Sequence, residues 1–430
     1  MGNAEVNAKH PGPDRPASRR RFLGAVGAAA GGVALSGCTN VLATSDSDPD
    51  TVEYWTLFGG GDGDVMAQMT DRAVAEHDIT VNRQRSATDY YTRLYTSLVG
   101  NQAPDVAIVH ATRLREYEDL VEPIGNEIPL DPYLDTIAER VVRNGDQLAT
   151  PLDAHPYGLY YNKEIFEEAG LNPNEPPNTP QKFRQAAEAI KKETDHWPMH
   201  YNGADIVINT LVVLMNSLGG VLLTDEGEPR INNRNGLAVA RTLNEWVHER
   251  GWCPVDDSTG WDAWNRGEVG MIFEGTWHVS VVQEAGFDFG LTQPFVMPNS
   301  KTPKTFADSH TLVIPKSDTR SASVRADAVT LIKALTQEYN AYWAREAGHV
   351  PAYEAAGSND DLRSSRMWNQ TLEVFYGMAE NDHLAYPPAT DNNQDYIEQL
   401  SRYFQGLRLG SLTPKQTIRQ SAEGLQQVYL

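Results

Sequence analysis

The sequence predicts an α/β protein with more than one core, and three observations carry that reading. Residues 52–110 alternate strand and helix patterns in the order βαβαβ. The run Val106-Ala-Ile-Val109 is almost continuously apolar, as a parallel strand covered on both faces requires. About 390 residues follow Cys38, more than one ordinary core accommodates, so two domains are expected.

The elements follow in order. Strands are predicted at 52–57, 79–83 and 105–110, and helices at 64–77 and 88–99. Thr88 offers the N-cap hydroxyl of the second helix, and Tyr91, Leu94, Tyr95 and Leu98 recur at the spacing of its buried stripe. Sheets of this kind place ligands beyond the carboxyl ends of their strands, which directs attention to 58–63 and 110–113. A second α/β region begins near Pro156. Asn162 caps a short helix that Gly170 stops. Thr179-Pro180 opens another whose Phe183, Ala186, Ala187 and Ile190 face a core. Further helices are expected near 205–218, 235–250, 323–337 and 338–347. Thr413-Pro-Lys-Gln416 is a capping box before a helix with Ile418, Ala422 and Leu425 on its apolar face.

The N-terminal segment reads as an export signal. Ser18-Arg-Arg-Arg-Phe-Leu23 is basic, 22–35 is a 14-residue apolar stretch rich in Gly and Ala, and Leu35-Ser-Gly-Cys38 has the form of a lipobox. The paired arginines point to twin-arginine export, and Cys38 is the expected lipidation site. Residues 38–50 are polar and acidic, and read as a flexible tether. The expected location is the extracellular face of the cell membrane, held there by lipid.

From Cys38 onward the chain carries 31 basic and 56 acidic residues, a net charge of −25. Such acidity argues against nucleic acid or anionic lipid as partners and resembles haloarchaeal adaptation. With Cys38 lipidated, Cys253 is the one thiol left, which excludes an intramolecular disulfide or a cysteine metal cluster. No cofactor is expected.

Five segments, in this order, resemble the family 1 extracellular solute-binding proteins, the maltose-binding-protein-like receptors of carbohydrate ABC importers. They are 54–63 (Tyr-Trp-Thr-Leu-Phe-Gly-Gly-Gly-Asp-Gly), Ala103-Pro-Asp-Val106, 151–163 with Pro-Leu-Asp-Ala-His and Tyr-Tyr-Asn-Lys, 265–277 with Asn-Arg-Gly-Glu-Val-Gly-Met and Glu-Gly-Thr-Trp, and Gly348-His-Val-Pro351. The similarity runs from about residue 51 to the C-terminus. It implies a two-lobed periplasmic-binding-protein-like fold, with each lobe a doubly wound sheet and the ligand cleft between them. Lobe one would combine 51–154 with 309–357, and lobe two 156–305 with 358–430, with a hinge near 155 and 306–309. The implied function is non-enzymatic: a monomeric receptor captures a carbohydrate and delivers it to permease subunits driven by a cytoplasmic ATPase.

A sugar site needs flat aromatic platforms beside planar polar groups. Five of the nine tryptophans lie between Trp246 and Trp277. The resemblance marks Trp277 as the stacking residue and places His155, His310, His349 and Tyr353 near the hinge, while Trp246 reads as core. If residues 153–155 are extended, Asp153 points to the same side as His155. Asp62, Tyr90 or Tyr91, Thr112 and Arg113 follow from the strand-end rule. The full set of candidate ligand contacts is Trp277, His155, Asp153, Asp62, Trp55, Tyr91, Thr112, Arg113, Glu274, His310, His349 and Tyr353. Thr112 stands where relatives tend to place a carboxylate. Two alternatives compete: a zinc receptor of the same fold using His110, His155, His310 and His349, and a glycoside hydrolase using two of Asp153, Glu274 and Asp256. An anionic sugar would draw on Arg113, Arg85 and Arg93.

Overall fold

The computed structural model describes residues 50–429 except 87, 225, 226, 285, 389 and 392. The expected export signal, Cys38 and all of the tether but Asp50 lie outside the described residues. No helix among the described residues is long and apolar enough to cross a membrane.

The described residues open with β1 (Thr51–Thr56), α1 (Gly60–His77), β2 (Thr80–Arg85), α2 (Tyr90–Val99) and β3 (Val106–His110). Short strands β4 (Thr150–Pro151) and β5 (Asp153–Ala154) lead into β6 (Tyr157–Asn162). Then come α3 (Lys163–Glu168), α4 (Pro180–Glu193), β7 (His200–Tyr201), α5 (Val207–Ser217), α6 (Arg234–Asn244), β8 (Met271–Gly275) and β9 (Phe289–Thr292). The remainder holds β10 (Thr305–Phe306), β11 (His310–Val313), α7 (Ala322–Lys333), α8 (Asn340–Ala347), β12 (Val350–Pro351), β13 (Leu384–Ala385), α9 (Asn393–Arg408) and α10 (Pro414–Tyr429).

Two main sheets organise a two-lobed α/β fold. The first has the order β2-β1-β3-β11-β4. Its β1 is parallel to β2 and β3, whereas β11 inserts antiparallel beside β3 with His310 opposite His110. Val106, Ala107, Ile108 and Val109 are all fully buried, as their unbroken apolar run predicts. The second sheet has the order β9-β6-β8-β7, and its β6 is buried along its whole length. Between the sheets two stretches of chain run side by side: His155 N donates to Asp308 O at 2.9 Å, and Thr305 Oγ1 donates to Tyr157 O at 2.7 Å.

Local signals translate well into structure where side chains cap backbone. Asn162 Oδ1 accepts from Glu164 N and Ile165 N, and Thr179 Oγ1 accepts from Lys182 N. Gly170 follows the short helix at φ +73°, a backbone that glycine adopts without a Cβ penalty. Thr413 and Gln416 form the reciprocal capping box, and Ile418, Ala422 and Leu425 are buried. The expected helices near 235–250 and 323–337 each end in a π turn, at 245–249 and 334–338.

Two expectations are corrected. The first helix begins at Gly60 rather than Asp64, so Asp62 sits in its first turn instead of in a preceding loop. The second begins at Tyr90, and Thr88 does not cap it; Asp89 precedes it at φ +54° with no side-chain cap bond. Its buried side is correspondingly narrower, with Tyr90 and Leu94 inside, Tyr91 and Leu98 half-buried and Tyr95 49% exposed. Tyr90 takes the core position because its hydroxyl donates to Ile108 O at 2.8 Å, which fixes the helix on the sheet.

Candidate functional site

The strand ends of the first sheet open onto a cavity of about 440 Å³. Leu57, Phe58 and Asp62 after β1, and His110, Thr112 and Arg113 after β3, form one wall with Tyr91. The opposite wall contains Ile206, Asn209 and Trp277, and α9 contributes Asn393, Tyr396 and Ile397. His155, Phe306, Asp308 and His349 form the floor together with His310, the first residue of β11. The strand-end rule thus finds the first wall directly.

Trp277 follows β8 and is half-buried, with its ring 5.6 Å from that of Tyr157 and 6.0 Å from that of His155. It therefore presents a supported aromatic platform at the cavity.

Asp153 is fully buried beneath the floor. It accepts from His310 N at 2.9 Å, His310 Nδ1 at 2.9 Å and Trp343 Nε1 at 2.8 Å, and His155 Nδ1 lies 3.5 Å away. Burial opposes its charge, but His310, His155 and His349 outweigh that and hold the carboxyl well below the usual range. Burial likewise works against charge on His349, yet Asp62 and Asp153 raise its pKa. Its Nε2 is 3.1 Å from Asp62 Oδ2 and its Nδ1 is 3.0 Å from Thr276 Oγ1. Burial lowers His155 and His310, and pushes His110 down to about 4.

Of the sequence-predicted contacts, the structure brings Asp62, Tyr91, Thr112, Arg113, His155, Trp277, His310 and His349 together at the cavity. Four others do not line it. Asp153 points beneath the floor because the backbone N–H of His310 and the indole of Trp343 draw it inward. Glu274 is buried behind Trp277, bonded by Asn202 and by Gly275 N, and burial pushes its pKa up to about 7. Trp55 alternates to the far side of β1 from Tyr54, with Arg93 over its ring. Tyr353 packs against Tyr133, with ring centroids 5.5 Å apart.

Asp256 caps the helix Asp257–Asn265, so it, Asp153 and Glu274 serve three separate structural roles and none lines the cavity. Arg113 already pairs with Glu116 at 2.8 Å and lies 3.9 Å above the Tyr91 ring. Trp246 and Trp264 are core, while Trp261 is half-buried against it.

Sequence reasoning missed Asp308, Phe306, Asn209, Asn393 and Tyr396 as cavity residues. The first two fall in the segment expected to be a hinge. The others sit on helices whose cavity-facing side carries no local signal. Among the described residues, two sets of side chains have the chemistry to hold a metal ion: Asp153, His155, His310 and His349, and His110, His155 and Asp308.

Comparison with known proteins places this geometry in a family. The family model described as bacterial extracellular solute-binding protein matches residues 68–366. The lactose-binding protein of Rhizobium radiobacter is 24% identical over 231 residues, covering 51% of this chain and 54% of the relative. The maltotriose-binding protein of Pyrococcus abyssi (strain GE5 / Orsay) is 25% identical over 216 residues, 47% of this chain and 44% of that protein. The chain thus spans about half the length of the curated relatives it matches. Among solved structures, the cyclic alpha-maltosyl-1,6-maltose binding protein from Arthrobacter globiformis superposes with a TM-score of 0.76 at 20% identity, covering 89% of this chain and 99% of that one. The GacH receptor of Streptomyces glaucescens GLA.O gives 0.75 at 16% identity, covering 88% and 98%. At these identities the structural likeness shows the fold, and the family model shows the rest: this chain belongs to the bacterial extracellular solute-binding protein family.

Proposed function

We propose that this protein is a non-enzymatic receptor that captures a carbohydrate in the cavity between its two sheets and delivers it to the permease of an ABC importer. The observation that carries the reading is the pairing of Trp277, a supported aromatic face, with polar groups that line the same cavity: Asp62, Thr112, His110 and Asn393. Sugars offer apolar C–H faces to the first and hydroxyls to the second. The relatives named for lactose and maltotriose binding support the same class of ligand.

In this reading the lobes comprise 51–154 with 309–357 and 156–305 with 358–430, and they close about the paired segments near 155 and 306–309. The leader directs twin-arginine export, Cys38 carries the lipid, and a monomer works at the extracellular face of the membrane. The acidic surface suits high salt, as in a haloarchaeal protein.

Thermal-shift titration in molar salt against pentoses, hexoses, disaccharides and maltodextrins tests the proposal. A ligand of the folded state stabilises by about 2.7 kcal/mol at a hundredfold excess over Kd. A saturable rise in Tm with one sugar class is expected, and no rise with any of them would overturn the reading.

A further inference from the structure

Four of the eleven histidines meet at the cavity, three on its floor and His110 on the adjoining wall. The rings of His155 and His310 are 4.4 Å apart, those of His110 and His310 4.8 Å, and those of His110 and His155 5.3 Å. A neutral sugar needs hydroxyl partners but gives no reason to pack imidazoles ring against ring beside carboxylates. We propose that this floor is a site for a divalent transition-metal ion of the zinc class, with His110, His155 and Asp308 as its ligands. The proposal goes beyond the carbohydrate reading and stands without it.

One donor atom from each of these three residues lies within 4.8 Å of the others. Zinc binds nitrogen and oxygen at about 2.0–2.2 Å, which sets donors about 3–4 Å apart, so modest side-chain rotation closes the set. Hydrogen bonds fix the Asp308 carboxylate in place. Its Oδ1 accepts from Ser309 N at 2.8 Å and Thr112 N at 3.2 Å, and its Oδ2 accepts from Thr112 Oγ1 at 2.5 Å. With His155 Nδ1 donating toward Asp153, its Nε2 carries the ligating lone pair. Tyr91 orients His110 in the same manner: its hydroxyl oxygen accepts from His110 N at 3.2 Å and contacts Nδ1. Carboxylate and hydroxyl partners behind ligating imidazoles are the usual support of a metal site.

In the neighbouring group that also includes His155, the residues Asp153, His310 and His349 are frame rather than ligand. Asp153 is already occupied by backbone, indole and imidazole N–H groups, and both nitrogens of His349 have partners in Asp62 and Thr276. Three protein ligands leave one position of a tetrahedral ion open to the cavity, where an oxygen of water or of a hydroxyl-bearing ligand completes it.

The test is titration of the untagged, chelator-washed chain with Co²⁺, followed by visible absorption with no sugar present, and by X-ray absorption at the zinc edge after Zn²⁺ replaces it. One equivalent with ligand-field bands is expected, with nitrogen and oxygen scattering around the zinc. Asp308→Asn and His110→Gln should each weaken binding at least tenfold, Asp153→Asn about 10–100-fold, and His196→Gln, on the surface beside Glu168, not at all. Absence of stoichiometric metal, sulfur scattering from Cys253, or unchanged affinity in folded Asp308→Asn and His110→Gln would overturn the proposal. The wild-type spectra decide even where a variant fails to fold. Metal bound without any sugar response upholds this site and sinks the carbohydrate reading; the reverse result does the opposite.

Discussion

Trp343 donates its indole Nε1–H to Asp153 Oδ2 at 2.8 Å, and its ring stacks on His349 with centroids 5.2 Å apart and planes 7° from parallel. Both Trp343 and Asp153 are fully buried, so this bond joins those from His310 in compensating a carboxylate beneath the cavity. Trp343→Phe keeps an aromatic ring and removes the donor. The variant should lose about 1.5–3 kcal/mol of unfolding free energy in urea. A change within experimental scatter would show that the indole is only packing.

Stability should depend on pH through His278. Its Nε2 accepts from Trp264 Nε1 at 2.7 Å, and burial lowers its pKa to about 4 in the folded protein from 6.5 in the unfolded chain. Between those values the unfolded chain takes up a proton that the folded one refuses. Stability therefore falls as pH drops from 6.5 toward 4, and this contribution levels off below. One such group contributes a slope of up to about 1.4 kcal/mol per pH unit. His278→Gln should make the urea-measured profile shallower over that window, and an unchanged slope would refute the assignment.

Gly275 is where the platform is set. A Cβ there would sit 2.3–2.5 Å from the ring carbons of Trp277, while φ −90° and ψ −177° are ordinary for alanine. The tightest contacts of Gly275→Ala thus fall on the Trp277 ring. Sugar affinity should drop at least tenfold, and stability by about 1–3 kcal/mol from overpacking. Calorimetric titration with the sugar identified by thermal shift checks the first, and urea denaturation the second.

The capping box gives a test remote from the cavity. Thr413 Oγ1 lies 3.4 Å from Gln416 N, and Gln416 Oε1 accepts from Thr413 N at 2.9 Å. Thr413→Ala should cost about 0.5–2 kcal/mol of stability and leave ligand affinity unchanged.

Much of this molecule is legible in its sequence where the chemistry is local. Asn162, Thr179 and Thr413 cap the helices they precede, and the Val106–Val109 run lies at the centre of the first sheet. Pairing across long separations is not legible. No local pattern announces that β11 inserts beside β3, some 200 residues earlier, or that this brings His310 opposite His110. Where two carboxylates compete for one place, tertiary hydrogen bonds decide. Asp153 turns inward to His310 and Trp343, and Asp308, which no sequence signal singled out, lines the cavity. The strand-end rule succeeds at Phe58 and His110 because it rests on sheet geometry rather than on side-chain pattern.

Carbohydrate capture at Trp277 is decided by equilibrium dialysis of labelled mono-, di- and oligosaccharides against the wild-type chain and Trp277→Ala in parallel, in molar salt. One sugar class should bind wild type saturably at one equivalent and the variant at least tenfold more weakly. Retention of no sugar by wild-type protein that unfolds cooperatively would contradict carbohydrate capture.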